Sequence, residues 1–321
     1  MANIKKKQLI SIIVPCFNEE DVLPFFYQET TKVLKDMPYN YELIFVNDGS
    51  NDKTLHILKD FAKKNKNVFY LSFSRNFGKE SAMYAGLRNA SGDYIGFMDA
   101  DLQHPPKYIK QMIEALKSKE YDCAACRRIN RAGESKIRTW FSKLFYKLVN
   151  GISDSAMMDG AGDFRFMKRE MANALLAIDE YNRFSKGLFS WVGFKTYWIE
   201  YENVERYAGK TSWSFWGLLK YAIDGIVSFS NAPLYLASVF GIVSMLFAFI
   251  YLTFIVIKYA LFGDPVQGWA TTVSVILLLG GIQLFSLGII GQYIGKMYME
   301  VKDRPHYIVA ESNKKDVQKI G

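Results

Sequence analysis

Two acidic residues at the end of an apolar run, Asp99 and Asp101 in FMDADLQHPP, have the types and spacing of a metal site. In a strand, residues i and i+2 face the same side, so we expect both carboxylates to point at one place beyond the sheet edge. There they repel each other unless a cation lies between them or one is protonated. Carboxylate oxygens suit Mg²⁺ or Mn²⁺, and such an ion neutralises a leaving diphosphate. Alternatively, Asp99 and Asp101 are solvated residues of a turn. Their position at the end of a buried strand favours metal binding over that alternative.

Two further polar clusters follow other apolar runs. Asp48, in NDGSND, ends one run and precedes a helix. Ser50, Asn51 or Asp52 can cap that helix, which leaves Asp48 free to accept a hydrogen bond from a ligand. The segment RNFGK, residues 75–79, is polar and basic, and it either contacts phosphate or is simply solvated.

Strand and helix patterns alternate through residues 1–130 and must position these clusters. Apolar strands alternating with amphipathic helices predict a parallel sheet that is covered on both faces. Ligands bind such sheets at the carboxyl ends of the strands, and three polar clusters lie at such ends: residues 16–19, 47–50 and 99–101. The predicted strands are Ile10–Pro15, Tyr41–Val46, Val68–Phe73 and Tyr94–Met98. The predicted helices are Val22–Lys35, Thr54–Lys64, Lys79–Asn89 and Lys107–Leu116.

The C-terminal part contains two stretches without Asp, Glu, Lys or Arg, residues 225–257 and 265–295. Each exceeds the roughly 20 apolar residues that a helix needs to cross a bilayer. A buried helical hairpin in a soluble protein is the alternative, but two such lengths side by side favour a membrane. We therefore predict two transmembrane helices, at about 233–257 and 269–294, within residues 231–296.

Basic residues flank this hairpin on both sides, whereas the linker between its helices carries one lysine and one aspartate. The positive-inside rule then places residues 1–210 and the tail, residues 297–321, in the cytoplasm. A net charge of +8 suits nucleic acid or anionic lipid, and the juxtamembrane lysines favour lipid headgroups over nucleic acid. The part of the tail after Arg304 is polar, and we expect it to be loosely ordered.

Two segments have the periodicity of amphipathic helices, at about 136–150 and 211–230. Such a helix in a soluble protein usually buries one face in the core. Here the aromatic residues, the lysines and the adjoining spans favour interfacial helices that lie on the membrane.

The three cysteines are an odd number, which indicates reduced thiols rather than a disulfide framework. Cys123 and Cys126 have metal-like spacing, but positions i and i+3 of a strand face opposite sides. We therefore expect both to be structural.

A family resemblance is carried by six segments in this order: IIVPCFNEE, FVNDGSNDKT, SRNFGKESAMYAGLRNASGD, FMDADLQHPP, GDFRFM and RYAGKTSWS. They resemble glycosyltransferase family 2. They are most similar to the bacterial polyprenyl-phosphate (bactoprenol) glycosyltransferases, which are similar to dolichyl-phosphate mannose synthase. The resemblance covers essentially the whole chain. It implies an α/β fold with a Rossmann-like GT-A nucleotide-binding domain over residues 1–210, followed by the interfacial helices and the transmembrane hairpin.

The resemblance also implies roles for individual residues. Asp48 would read the uracil ring of a UDP-sugar, and Pro15 and Glu19 would shape the nucleoside pocket. Independently of the resemblance, Lys79 of the basic cluster at residues 75–79 is a candidate for binding the nucleotide-sugar. Asp99 would approach the ribose and the metal.

The resemblance implies further that Asp101 is the main metal ligand. Arg206 and Lys210, in RYAGKTS, would lie on a mobile loop near the diphosphate or the lipid phosphate, with a catalytic role. Asp163, in GDFR, would lie near the reacting centre as the candidate base.

Asp163 has two other interpretations. A polyprenyl phosphate is largely ionised at neutral pH, because the second pKa of a phosphate monoester is about 6. The acceptor needs little deprotonation, so Asp163 would orient groups as much as remove a proton. Alternatively, Asp163 is a buried partner for Arg128 or Arg165.

The resulting hypothesis is an inverting, metal-dependent transferase in the bacterial cell membrane. It would move one sugar, glucose before N-acetylglucosamine, from a UDP-sugar to undecaprenyl phosphate and so supply a lipid-linked sugar for cell-envelope glycans. A homo-oligomer is expected from the resemblance alone. One alternative is a nucleotide-sugar-binding scaffold without catalysis. The other, a processive polysaccharide synthase, needs more spans and usually a Gln-x-x-Arg-Trp motif, and no Arg-Trp pair occurs in the chain.

Overall fold

The computed structural model describes residues 7–128, 158, 160–201, 227, 230, 232–262 and 268–321, and an eight-stranded sheet is the framework of these ranges. The strands are β1 (Leu9–Cys16), β2 (Asn40–Asn47), β3 (Val68–Phe73), β4 (Tyr94–Phe97), β5 (Cys123–Arg128), β6 (Ala161–Lys168), β7 (Thr196–Tyr201) and β8 (Val309–Ser312). The helices in these ranges are α1 (Leu23–Lys35), α2 (Thr54–Lys64), α3 (Lys79–Asn89), α4 (Tyr108–Lys117), α5 (Arg169–Leu176), α6 (Ser185–Trp191), α7 (Ala232–Phe262) and α8 (Trp269–Val301).

The first four strands are parallel, which confirms the prediction from the alternating pattern. β1 pairs with β2 and β4, and β2 pairs with β3. Ile10, Ile12 and Ile13 of β1 are all fully buried, so both faces of the strand are covered. Continuous apolar runs are typical of strands in this position.

The complete sheet is mixed, with the order β7-β5-β6-β4-β1-β2-β3-β8. β6 runs antiparallel between β4 and β5, and β8 runs antiparallel to β3 at the edge. Because β6 is reversed, its first residues lie beside the carboxyl end of β4. The local pattern of the first 130 residues does not contain this reversal.

Strand β6 contributes alternate side chains to the two faces of the sheet. Phe164 and Phe166 join the apolar cluster that contains residues of α1, α2 and α4, whereas Met167 joins the cluster with α3, α5 and α6. By the same alternation Asp163 and Arg165 lie on the α6 face. The guanidinium of Arg165 indeed lies 3.6 Å from the ring centre of Phe189 in α6.

The cysteines are buried free thiols, as their odd number and the strand pattern predict. Cys123 and Cys126 lie in β5 and face opposite apolar clusters. They therefore cannot share a metal ion.

Helices α7 and α8 form the predicted C-terminal hairpin, and both are long and apolar enough to cross a membrane. Their large apolar side chains are exposed: Leu284 is 73% and Leu261 is 69% accessible. A hairpin buried in a soluble core would cover these side chains. Two candidate membrane spans fit this surface.

The C-terminal tail is ordered, so the prediction of a loosely ordered tail is wrong. β8 extends the sheet, and the Asn313 side chain accepts the N–H of Tyr70 (2.7 Å) and donates to the carbonyl of Val68 (3.0 Å). Tyr307 is fully buried. A four-residue strand with a remote partner has too little local pattern to be recognised in a polar segment.

Several predictions fall outside the described residues. They concern the interfacial helix at 136–150, the juxtamembrane helix at 211–230 apart from residues 227 and 230, and the two catalytic candidates Arg206 and Lys210.

Candidate functional site

The carboxyl ends of β1 to β4 meet at one edge of the sheet, and the switch point lies between β1 and β4. Pro15 lies near the end of β1, opposite Val46 of β2. In the following loop, Glu19 donates its backbone N–H to Thr54 Oγ1 (2.9 Å). The loops after β1 and β2 are thus joined, which brings Pro15 and Glu19 close to the turn that contains Asp48.

Asp48 is 3% exposed, and its carboxylate holds the β3–α3 loop, residues 74–78. Oδ1 accepts the N–H of Phe77 (2.7 Å) and Oδ2 accepts that of Gly78 (2.9 Å). Burial raises the pKa of Asp48, and the two N–H bonds oppose that rise. Asp48 therefore has a local task that the sequence did not indicate, which is to fix this loop. Each carboxylate oxygen still keeps a second lone pair that a ligand N–H can use.

Gly49 allows the β3–α3 loop to lie directly on the β2 turn. Its φ is +67°, and a Cβ atom at this position would lie 2.4 Å from the backbone carbon of Arg75 and 2.6 Å from the backbone nitrogen of Asn76. The backbone atoms of Arg75 and Asn76 could make room for this Cβ atom only if the whole loop moved. The close approach thus requires glycine.

We expect Gly49→Ala to lower the free energy of unfolding by about 1–3 kcal/mol, through positive-φ strain and the clash with the loop. Gly193→Ala is the matched control, because Gly193 has a φ of +72° and a Cβ atom there would meet no heavy atom of the described residues within 4 Å. Thermal unfolding of both variants in detergent measures the difference. Equal losses would mean that the loop contact contributes nothing.

Lys79, at the start of α3, joins two carboxylates from different strands. Its Nζ lies 2.6 Å from Asp99 Oδ1 and 2.6 Å from Asp163 Oδ2. Asp99 follows β4 and Asp163 lies near the start of the antiparallel β6. The structure therefore brings together three of the residues singled out in the sequence, and Asp163 pairs with Lys79 rather than with Arg165.

The charges of this cluster stabilise one another. Burial alone would raise the pKa of Asp163, but Lys79 and Lys186 outweigh it and hold that pKa well below its usual range. Burial likewise opposes the charged form of Lys79, yet Asp163 and Asp99 raise the pKa of its ammonium well above the usual value. At neutral pH the Asp163 carboxylate and the Lys79 ammonium are therefore both charged.

Asp101 lies in a turn beyond β4, because the strand ends at Phe97. The strand-alternation argument for Asp99 and Asp101 is therefore wrong, although both follow the same strand. The Oδ1 of Asp101 accepts the N–H of Gln103 (3.1 Å). This bond fixes the carboxylate within its own turn.

Asp99 and Asp101 are carboxylates at this edge, the ligand type that Mg²⁺ and Mn²⁺ prefer. The Asp99 carboxylate already attracts a cationic group, the Lys79 ammonium. Within the described ranges no three His, Cys, Asp or Glu side chains converge. An ion held by Asp99 and Asp101 would complete its shell with diphosphate oxygens and water, as Mg²⁺ usually does.

A cavity of about 260 Å³ lies on the α6 face, beside the Asp163 position of β6. Ala161 and Arg165, which flank Asp163 on the same face of the strand, both line it. Its other lining residues include Lys186 of α6 and the rings of Phe189, Phe194 and Trp198. Of the described residues that line it, two are cationic and none is acidic, which suits an anion with an apolar part.

Arg165 lines this cavity, although the sequence had suggested it only as a partner for Asp163. It is 3% exposed, and its Nη2 donates to the carbonyl of Gly162 (2.9 Å). Its Nε has no hydrogen-bond acceptor among the residues that the structure describes. Strand alternation from Asp163 to Arg165 was the signal that could have placed it beside the site.

Comparison with known sequences gives two matches along the chain. The profile of glycosyl transferase family 2 matches residues 11–176, and that of the GtrB C-terminal hairpin matches residues 232–297. The first region contains the whole edge described above, and the second contains most of α7 and α8.

Known proteins resemble the chain over nearly its full length. CsbB of Bacillus subtilis (strain 168), which is named a putative glycosyltransferase, is 46% identical over 96% of this chain and 93% of its own. The SfII prophage-derived bactoprenol glucosyl transferase of Shigella flexneri is 40% identical over 95% of this chain and 98% of its own. The crystal structure of glucosyl-3-phosphoglycerate synthase from Mycobacterium tuberculosis, with Mn²⁺, UDP-glucose and phosphoglyceric acid, aligns with 68% of this chain and 78% of its own, at a TM-score of 0.46 and 18% identity.

Proposed function

The chain belongs to glycosyltransferase family 2, and on that premise we propose that it transfers one sugar from a UDP-sugar to undecaprenyl phosphate at the cytoplasmic face of the membrane. Glucose is the favoured sugar, and N-acetylglucosamine is the next. Relatives named bactoprenol glucosyl transferase, 40% identical over nearly the whole chain, support the acceptor and the sugar. The apolar hairpin α7–α8 supports a membrane-bound acceptor.

The observation that carries the proposal is the ammonium of Lys79 between Asp99 and Asp163, next to a cationic and aromatic cavity. One side of this cluster is the strand edge with Asp48, which suits the nucleotide. The other side is the cavity, where a phosphate can meet Arg165 while an apolar chain meets aromatic rings. Donor and acceptor would therefore meet at the cluster.

We propose a direct displacement that inverts the anomeric carbon. An oxygen of the acceptor phosphate forms a bond to that carbon, and the bond from the carbon to the UDP oxygen breaks, so UDP leaves with the electron pair. A divalent cation held by Asp99 and Asp101 would supply charge neutralisation at the diphosphate. The Lys79 ammonium adds a second positive charge beside the same carboxylate.

Asp163 serves in this reaction as an orienting anion rather than as a strong base. A general base works best when its pKa lies near the working pH, and the pKa of Asp163 is held far below it. The acceptor phosphate is already largely ionised at neutral pH. Asp163 instead keeps the Lys79 ammonium in position, and Arg206 and Lys210 would contact the phosphates.

The full-length protein in detergent tests this function with undecaprenyl phosphate, Mn²⁺ and radiolabelled UDP-glucose or UDP-N-acetylglucosamine. We expect label in the chloroform phase with UDP-glucose, and a β-linked product by NMR coupling constants. Undecaprenol without its phosphate is the matched control and should accept no sugar. UDP binding without turnover on any donor would favour the scaffold alternative, and a product with several sugars per lipid would favour processive synthesis.

A further inference from the structure

The C-terminal segment 306–313, here named the tail segment, follows α8 and lies along β3. Val309 pairs with Phe73, and β8 continues the pairing toward Leu71. The carbonyl of Ile308 accepts the N–H of Ser74 (3.0 Å), the first residue of the β3–α3 loop. The tail segment therefore holds this loop where it leaves the sheet.

An aromatic stack continues from the tail segment into the loop. The Tyr307 ring stacks on Phe73 with centroids 5.2 Å apart and planes at 12°. Phe73 meets Phe77 edge to face at 5.7 Å. The backbone N–H of Phe77 and that of Gly78 then bind Asp48, and Lys79 follows at once. Two ring contacts therefore connect Tyr307 to Phe77, whose backbone N–H binds Asp48.

The loop is also held by Asp48 and by its close approach to the turn at Gly49, but most of its residues are exposed. Ser74, Arg75 and Asn76 are exposed, and Phe77 is half-buried. Exposed loops with few buried contacts open at low free energy. The fully buried Tyr307 ring supports Phe73, which contacts Phe77 of the loop, and removing that ring would leave a cavity under Phe73.

The other end of the tail segment is fixed near the membrane hairpin. Glu300, in the last turn of α8, accepts the backbone N–H groups of Tyr181 (3.0 Å) and Asn182 (3.2 Å). His306 Nε2 lies 3.0 Å from Asp179 Oδ1, beside the same stretch. The end of α8 and the start of the tail segment therefore both contact residues 179–182.

We propose that Tyr307 is a positioning residue, through which the tail segment fixes the β3–α3 loop and joins the membrane hairpin to the nucleotide site. The consequence for the reaction rests on the proposed function, because it requires that the loop binds the UDP-sugar. The structural consequence is independent of the proposed function. Loss of the Tyr307 ring should release the loop whether or not the protein transfers sugar.

Hydrogen exchange of the full-length protein in detergent tests the structural part. In Tyr307→Ala we expect the backbone amide hydrogens of Phe77 and Gly78 to exchange about tenfold faster than in the wild type, because the loop opens locally more often. Tyr307→Phe should retain protection, since it keeps the ring and loses only the hydroxyl, which donates to the Gln318 carbonyl (3.2 Å). Tyr307→Leu keeps an apolar side chain of smaller size, and it gives the same test if the alanine variant does not fold.

Glu311→Gln is the control within the same strand. Glu311 binds the Tyr70 hydroxyl (2.8 Å) and the Lys59 ammonium (2.7 Å), away from the loop. Loss of the Glu311 carboxylate should leave the loop amides protected from hydrogen exchange. Unchanged loop exchange in both Tyr307→Ala and Tyr307→Leu would overturn the proposal, as would equal acceleration in Glu311→Gln.

Kinetics test the functional part separately. In Tyr307→Ala we expect the KM for the UDP-sugar to rise about fivefold or more, with a smaller change in kcat, because the loop must be ordered again on binding. A KM equal to that of the wild type, together with a released loop, would show that the loop does not bind the donor. A wild-type protein without turnover would overturn the proposed function and leave the exchange result to decide the tail segment's role.

Discussion

An Asp101→Ala variant is expected to transfer sugar about a thousandfold more slowly than the wild type, and EDTA is expected to abolish transfer by the wild type. The physical reason is charge: in the proposed reaction UDP would leave as a multiply charged anion, and a cation at this edge would stabilise the transition state by several kcal/mol. Each 1.36 kcal/mol corresponds to about a tenfold change in rate. We propose Asp101 as the main ligand of that cation and Asp99 as the second.

The measurement is kcat at saturating donor and acceptor during a titration with Mn²⁺ or Mg²⁺. Asp60→Ala is the control, because it removes one carboxylate on α2, where Asp60 pairs with Lys63 far from the strand edge. It should leave kcat unchanged. Circular dichroism should show equal thermal unfolding of Asp101→Ala and the wild type. Transfer that persists both in EDTA and in Asp101→Ala would contradict the metal role.

A Lys79→Met variant is expected to lower kcat/KM by about a hundredfold or more, the effect of losing a positive group at a developing charge. It leaves Asp99 and Asp163 close together without the ammonium that lies 2.6 Å from each. The Lys79 side chain is 45% exposed, so solvent screens part of the repulsion and we expect the fold to survive. Lys79→Arg keeps the charge and should restore part of the activity.

The pH dependence of the same variant gives a second readout. In the wild type the pKa of Asp163 is depressed, so the carboxylate stays ionised as the pH falls through the weakly acidic range. Without Lys79 the strongest attraction is lost and only Lys186 and Arg165 oppose burial, so the pKa of Asp163 rises above its wild-type value. We therefore expect kcat/KM of Lys79→Met to gain a limb that rises with pH, which the wild type and Lys79→Arg lack. A profile parallel to that of the wild type would mean that Lys79 does not control the ionisation of Asp163.

Strand and helix periodicity, composition and short motifs are local properties, and they determined a large part of this protein. The parallel strands β1 to β4, the polar residues at their carboxyl ends and the apolar hairpin followed from the sequence alone. These features depend on neighbouring residues, because burial on both faces requires continuous apolar runs and a bilayer requires long uncharged ones. The family resemblance added the expected chemistry of the edge, not its geometry.

Only the tertiary structure decided which distant segments meet. The antiparallel β6 brings Asp163 to Lys79 and Asp99, and the tail segment returns from the hairpin to hold the loop after β3. Strand partners are chosen by packing over the whole sheet, and the period-two pattern of a strand is the same in either direction. The sequence could therefore name candidate residues at this edge but could not show that an ammonium joins two of their carboxylates.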